Sequence, residues 1–303
     1  MKVIFIGTPQ IAADYLQSLF THVEISLVIT QKPKAQGRGL KVLETPVSKV
    51  AKDLQLELLE VDDINHLEVV EKIKNSGAKL AIVIAFGQII RQATRESLAE
   101  GFINLHFSLL PALRGADPVA AAIRNGLSQT GVSVFKISEG IDDGDIYVSK
   151  KIDIDSKETT YSLFEKLKPL GQTALLEALA SIKNGVKPTP QQGEVSYAAK
   201  TSKADYQIPW DKPQQEIERL IRSGMNSKLA WTLLEEQIIK IGEATITNRP
   251  DFGVVGSIKI ENGVTVQTGD GVLEILTVIP AGKAIMNASQ WARGLKITSL
   301  KFR

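Results

Sequence analysis

The densest chemistry in the chain lies at Asn104-Leu105-His106-Phe107-Ser108-Leu109-Leu110-Pro111-Ala112-Leu113-Arg114-Gly115-Ala116-Asp117-Pro118. Residues 102–106 read as a short strand, and period-two alternation puts Asn104 and His106 on one face near its carboxyl end. That is the end at which open α/β sheets bind ligands. An imidazole there accepts or donates a proton near neutral pH, and a carboxamide donates to an oxygen gaining negative charge. The plainer alternative is a polar strand end whose His and Asn satisfy backbone groups. A second cluster, Ser138-Glu139-Gly140-Ile141-Asp142-Asp143-Gly144-Asp145, sets carboxylates among glycines. Taken alone it is a solvated turn; read with the first cluster, it supplies a carboxylate that orients His106. A calcium loop does not fit, because the alternating ligand register and the terminal Glu are missing. Residues 31–41 hold four cations, Lys32, Lys34, Arg38 and Lys41, with two glycines and no acid. They form either a solvated surface loop or a contact for RNA phosphates.

Side chains of this kind need a rigid frame. Residues 3–6 and 25–29 are short, apolar and β-branched, as buried parallel strands are, and Ile11, Tyr15, Leu16 and Leu19 recur between them at helical spacing. Residues 80–85, 102–106 and 131–137 supply further strands. The alternation predicts a Rossmann-like α/β domain with a parallel sheet. Its first βα turn, Gly7-Thr8-Pro9, has one glycine and then a proline without an N–H, so it lacks the G-x-G-x-x-G of a dinucleotide site. No G-x-x-x-x-G-K-[ST] occurs either, so neither NAD nor ATP is expected. Residues 160–183 predict a long helix that Pro169 and Gly171 bend or break. Residues 184–193 have linker composition, and residues 183–203 carry Lys183, Lys187, Lys200 and Lys203 against Glu194 alone. Beyond Trp210 a helix is predicted over 214–222, then strands over 238–247, 254–260, 264–268 and 273–278, with Asn262-Gly263 as a hairpin turn. Short strands and tight turns of this kind predict a small β-barrel.

Composition narrows the chemistry. A chain of 303 residues is expected to build two domains, and 43% hydrophobic with 23% charged residues suits a soluble globular protein. The absence of Cys excludes disulfides, thiolate nucleophiles and Cys-ligated metals, and three scattered His exclude a His-rich metal site. Nowhere do 18 apolar residues run together, and the N-terminal apolar run is too short for a signal-peptide core, so a cytoplasmic protein is expected. With 36 Lys+Arg against 34 Asp+Glu the chain is not coated in positive charge, although a local basic patch remains possible.

Taken together, these residues resemble the methionyl-tRNA formyltransferase family. The matching pieces are V-I-F-I-G-T-P at the start, the G-R-G loop, N-L-H-x-S-L-L-P-x-x-R-G-x-x-P, T-G-V-S-V and E-G-I-D-D-G-D, in the family's order and spacing. The resemblance implies formyl transfer from 10-formyltetrahydrofolate to the α-amine of initiator methionyl-tRNA by a monomer that needs no metal, DNA or membrane. It implies Asn104, His106 and Asp142 as catalytic residues. It implies Ser108, Leu109, Leu110 and Pro111, with Phe86, Gly87, Gln88 and Ile89, as the folate-binding segments. Arg38 matches the loop arginine that meets the tRNA acceptor end, and Lys41, Lys200 and Lys203 are expected to touch tRNA as well. The implied division is a catalytic domain over 1–184, a basic linker over 185–208 and an OB-like β-barrel over 209–303. The segment Gly224-Met225-Asn226-Ser227-Lys228 departs from the family's usual Pro-Trp-containing stretch. An amino-sugar formyltransferase would share fold, donor and trio, but would have no need of the basic loop and linker. A dehydrogenase is disfavoured by the single-glycine turn, and a non-catalytic RNA-binding module leaves Asn104, His106 and Asp142 unexplained.

Overall fold

Val3, Ile4, Phe5 and Ile6 are fully buried, as are Leu80, Ala81, Ile82 and Ile84, so both faces of these strands are covered. A parallel sheet with helices on each side does this. The computed structural model, which describes residues 1–33, 35–36, 41–224, 228–295 and 301–303, contains that sheet. Its elements are β1 (Lys2–Gly7), α1 (Gln10–Leu19), β2 (Glu24–Gln31), α2 (Pro46–Asp53), β3 (Leu58–Val61), α3 (Leu67–Asn75), β4 (Leu80–Ile84) and β5 (Gly101–His106). After α4 (Pro118–Arg124) come β6 (Gln129–Lys136), β7 (Ile146–Asp153) and the long α5 (Thr160–Lys183). Among the described residues the strand order is β7-β6-β5-β4-β1-β2-β3. The β1–β2, β1–β4, β2–β3 and β4–β5 pairs are parallel. Strand addition reverses direction at β1, so the carboxyl ends of β1, β4 and β5 border the crevice in which such sheets take ligands. Gly7 at the end of β1 serves packing, since a Cβ there would come within 2.8 Å of the Ile84 carbonyl oxygen.

Two expectations change. The strand expected over residues 131–137 is β6, Gln129–Lys136, which runs antiparallel to β5, pairing His106 with Ser133 and Asn104 with Phe135. A parallel return needs a crossover packed on the sheet. Here α4 belongs to the second compact unit instead, so the chain re-enters beside the end of β5 that it left. Helix α5 also runs unbroken through Pro169. Gly171 leaves room for Tyr15, whose hydroxyl a Cβ would overlap, and that hydroxyl donates to the Lys168 carbonyl at 2.8 Å.

The chain forms two compact units. The first comprises Met1–Gly115, Gly131–Ile152 and Leu167–Tyr197; the second comprises Ala116–Thr130, Asp153–Lys166 and Ala198–Arg303. In the second unit α6 (Gln214–Ser223) precedes β8 (Trp231–Leu234), β9 (Gln237–Thr247), β10 (Ile258–Glu261), β11 (Gly263–Gln267), β12 (Val272–Pro280), β13 (Met286–Asn287) and α7 (Ala288–Arg293). The described strands form an antiparallel sheet in the order β8-β9-β12-β11-β10, with β13 on β12. Register shifts around Glu243 in β9 bend this sheet, which curls into a half-barrel of the OB-like kind. In its core Phe302 stacks with both Trp210 and Trp291, with ring centroids 5.4 and 6.2 Å away. The strand expected from residue 254 starts only at Ile258, and the strand at Trp231–Leu234 was not anticipated. No described helix is long and apolar enough to cross a membrane.

Candidate active site

Strand β5 delivers Asn104 and His106 two residues apart at its carboxyl end, in register with β4, where Val83 faces Asn104. The Asn104 amide is half-buried and makes no side-chain hydrogen bond among the described residues. The His106 ring is buried, with 7% of its side chain exposed. Its Nε2 lies 2.9 Å from the Leu113 carbonyl, which only accepts, so Nε2–H donates there. Leu113 presents that carbonyl from a backbone with φ of +57°, and its own N–H donates to the Ser196 hydroxyl at 2.9 Å. Nδ1 faces Asp142 Oδ2 across 3.6 Å. That gap is too long for a hydrogen bond, so Nδ1 has no hydrogen-bond partner among the described residues.

Asp142 takes a backbone φ of +49°, a left-handed conformation that Asp tolerates better than most residues. Its Oδ2 accepts from the Gly115 N–H at 2.8 Å, and Oδ1 has no partner among the described residues. The neighbouring Asp143 accepts instead from the Ser138 hydroxyl. Around the Asp142 carbonyl the Gln191 side chain closes the loop. Its Nε2 donates to the carbonyls of Asp142 and Gly144, each at 2.8 Å. Its Oε1 accepts from Arg114 Nη2 at 2.6 Å and Nε at 3.2 Å. Neither Gln191 nor Ser196 was singled out from the sequence, because they sit in a stretch whose Pro, Gly and polar composition reads as linker.

The segment after His106 is tightly bonded. Ser108 donates its hydroxyl to the Ala112 carbonyl at 2.5 Å. Ser133 on β6 donates to the Ser108 carbonyl at 2.8 Å and accepts from the Leu110 N–H at 3.1 Å. Leu110 and Pro111 are buried and Leu109 half-buried. At the end of β4, Ala85 and Gly87 have φ of +47° and +77°, with Phe86 buried between them and Ile89 exposed. The Phe86 carbonyl accepts from the Gln31 amide. Gln88 turns inward, accepting from the Ile64 N–H at 2.9 Å and donating to the Asp62 carbonyl at 3.0 Å. The two segments expected to bind folate thus follow the carboxyl ends of neighbouring strands. Among the expected RNA-facing cations, Lys200 is exposed, and the Lys203 ammonium sits 5.3 Å from the Trp231 ring centroid. Arg38 and the side chain of Lys41 lie outside the described residues. Among the described residues no group of three or more His, Cys, Asp or Glu is arranged to hold a metal.

A half-buried carboxylate beside an anchored imidazole, with an uncommitted carboxamide on the same strand, suits reactions that pass through a tetrahedral oxyanion. The pattern of the family described as formyl transferase matches residues 1–179, and that of the formyl transferase C-terminal domain matches residues 200–296. The methionyl-tRNA formyltransferase of Thermodesulfovibrio yellowstonii is 35% identical over 298 residues, spanning 97% of this chain and 96% of its own. That of Roseobacter denitrificans is 35% identical over 300 residues, spanning 98% and 97%. Among solved structures, WlaRD, a sugar 3N-formyl transferase in the presence of dTDP and 5-N-formyl-THF, has a TM-score of 0.68 at 22% identity, covering 94% of this chain and 99% of that one.

Proposed function

The chain belongs to the formyl transferase family, and we propose that it transfers the formyl group of 10-formyltetrahydrofolate to the α-amino group of initiator methionyl-tRNA, giving N-formylmethionyl-tRNA for translation initiation. The observation that carries the chemistry is the His106 ring, anchored through Nε2 to Leu113 with Nδ1 facing Asp142, on the same strand end as the uncommitted Asn104 amide. The near-full-length similarity to methionyl-tRNA formyltransferases supports the acceptor.

In this reading the neutral amine attacks the formyl carbon, a C–N bond forms, and the formyl oxygen gains negative charge. Asn104 donates to that oxygen and His106, protonated at both ring nitrogens, adds a second donor from Nδ1, an interaction worth about 3–4 kcal/mol per donor in comparable sites. Asp142 orients the ring through Oδ2 and uses Oδ1, directly or through water, to take the proton that the attacking nitrogen sheds. That proton is passed to the folate nitrogen as its bond to carbon breaks. No covalent intermediate with the protein is required. The folate lies against Ser108, Leu109, Leu110 and Pro111 and against Phe86, Gly87, Gln88 and Ile89. Arg38, Lys41, Lys200 and Lys203 meet the tRNA. Residues 1–184 form the catalytic domain, 185–208 the basic linker and 209–303 the OB-like tRNA-binding domain. The enzyme works as a monomer in a bacterial cytoplasm, without DNA or membrane partners.

The test incubates purified protein with 10-formyltetrahydrofolate and charged initiator tRNA, with a nucleotide amino sugar as the rival acceptor. Formylated methionyl-tRNA with an unchanged sugar is the expected result. Formylated sugar with unchanged tRNA would move the chain to the sugar-modifying branch and leave the two basic surfaces as solvated charge.

A further inference from the structure

We infer that Gln191 is a positioning residue that holds the Asp142 loop in its working shape, an inference that rests on the catalytic reading of Asp142 given above. A glutamine side chain has two donor hydrogens and two acceptor sites on its oxygen, and all four are used here. Arg114 only donates, so Oε1 must face the guanidinium and Nε2 must face the carbonyls of Asp142 and Gly144. The amide orientation is therefore fixed by chemistry.

The same short segment closes the loop from the other side. Arg114 reaches the Asp142 carbonyl through Gln191, while its neighbour Gly115 donates its N–H straight to Asp142 Oδ2 at 2.8 Å. Asp142 is thus gripped by its carbonyl and by its carboxylate while its backbone is held at φ of +49°. A conformation this sparsely populated persists only where the surroundings over-determine it. Further along, Ser196 accepts from the Leu113 N–H through its hydroxyl and from the Arg114 N–H through its carbonyl, the latter at 2.9 Å. Residues 191–196 therefore wall the site, although their composition reads as a tether.

Gln191→Glu keeps an acceptor for Arg114 but turns acceptors toward the two carbonyls; Gln191→Ala loses both halves. Both variants are expected to lower kcat about tenfold or more, as befits two lost half-buried hydrogen bonds, with KM for both substrates within about twofold. In an Asp142→Asn background, Gln191→Glu should add little, because the group it positions is gone. Independently of any assay, the Gly115 amide proton reports the grip on Asp142, and its hydrogen exchange should quicken about tenfold or more in both variants. Wild-type kcat and unchanged Gly115 protection in Gln191→Glu would overturn the inference and leave Gln191 as a partner of Arg114 alone. Should the wild-type protein fail to formylate methionyl-tRNA, the functional reading falls, while the Gly115 exchange still decides the role of Gln191.

Discussion

At His106 the two ring nitrogens do different work. Nε2 is spent on the Leu113 carbonyl, which restrains the ring, and Nδ1 faces Asp142 with no hydrogen-bond partner among the described residues. His106→Gln can keep a donor toward Leu113 but loses the ring's second nitrogen. Asp142→Asn keeps an acceptor for the Gly115 N–H and tolerates the left-handed backbone, but loses the charge. Both variants are therefore expected to fold with nearly unchanged melting temperatures while single-turnover formyl transfer falls about 10²–10³-fold. Transfer within a few-fold of wild type in either variant would remove that residue from the mechanism. Asn104 and His106 could be read directly from strand alternation and side-chain chemistry. Selecting Asp142 from three nearby aspartates took the resemblance, because spacing alone does not say which carboxylate points at a ring on another strand.

The element that matters most is the loop between β6 and β7. Two of its glycines look alike in sequence but meet different surroundings. A Cβ on Gly144 would overlap the Lys136 carbonyl oxygen, which is fixed backbone. The atoms nearest a Cβ on Gly140 belong to the Asp143 carboxylate, a side-chain end that can swing away on an exposed loop at the cost of its bond from the Ser138 hydroxyl. Gly144→Ala is thus expected to destabilise the protein by about 1–3 kcal/mol and to lower activity with it. Gly140→Ala should stay within about 0.5 kcal/mol of wild type, as surface changes do. Thermal melts and kcat measured on the pair check this, and equal losses would mean that the loop rearranges freely. The same logic explains α5. Pro169 and Gly171 read as breakers by propensity, yet tertiary contact with Tyr15 occupies the space that Gly171 provides.

At the scale of the whole molecule, each compact unit carries its own core and its own electrostatic clamps. In the second unit Asp117, just before α4, accepts from Lys228 at 2.8 Å and from the Thr201 N–H and hydroxyl at 2.9 and 2.6 Å. Burial pushes the Asp117 carboxyl up, but the hydrogen bonds from Lys228 and Thr201 outweigh it and hold the group below the usual carboxylate range. A carboxyl lowered in the folded state stabilises the fold fully above its unfolded value of about 3.9 and loses that contribution as pH falls through the folded value. Asp117→Asn should therefore melt below wild type at pH 7, with the gap closing as pH drops under about 4. A gap that persists at low pH would assign the loss to packing. Lys228 ends the segment that departs from the family's usual stretch, so this clamp was not visible in the motif comparison.

What the sequence determines by itself is local or carried by composition. Buried strands appear as continuous β-branched runs, α1 as a helical stripe, the hairpin around Asn262-Gly263 as a turn dipeptide, and the catalytic segment as an unusual concentration of Asn, His, Pro and Arg. These follow from backbone periodicity and side-chain chemistry, which are properties of neighbours in the chain. Only the tertiary structure decided that β6 returns antiparallel, that Asp142 Oδ2 lies 3.6 Å from the His106 ring, and that Gln191 and Ser196 belong to the wall of the site. Each depends on segments distant in sequence meeting in space, and there packing and hydrogen-bond saturation select a geometry that no local pattern encodes.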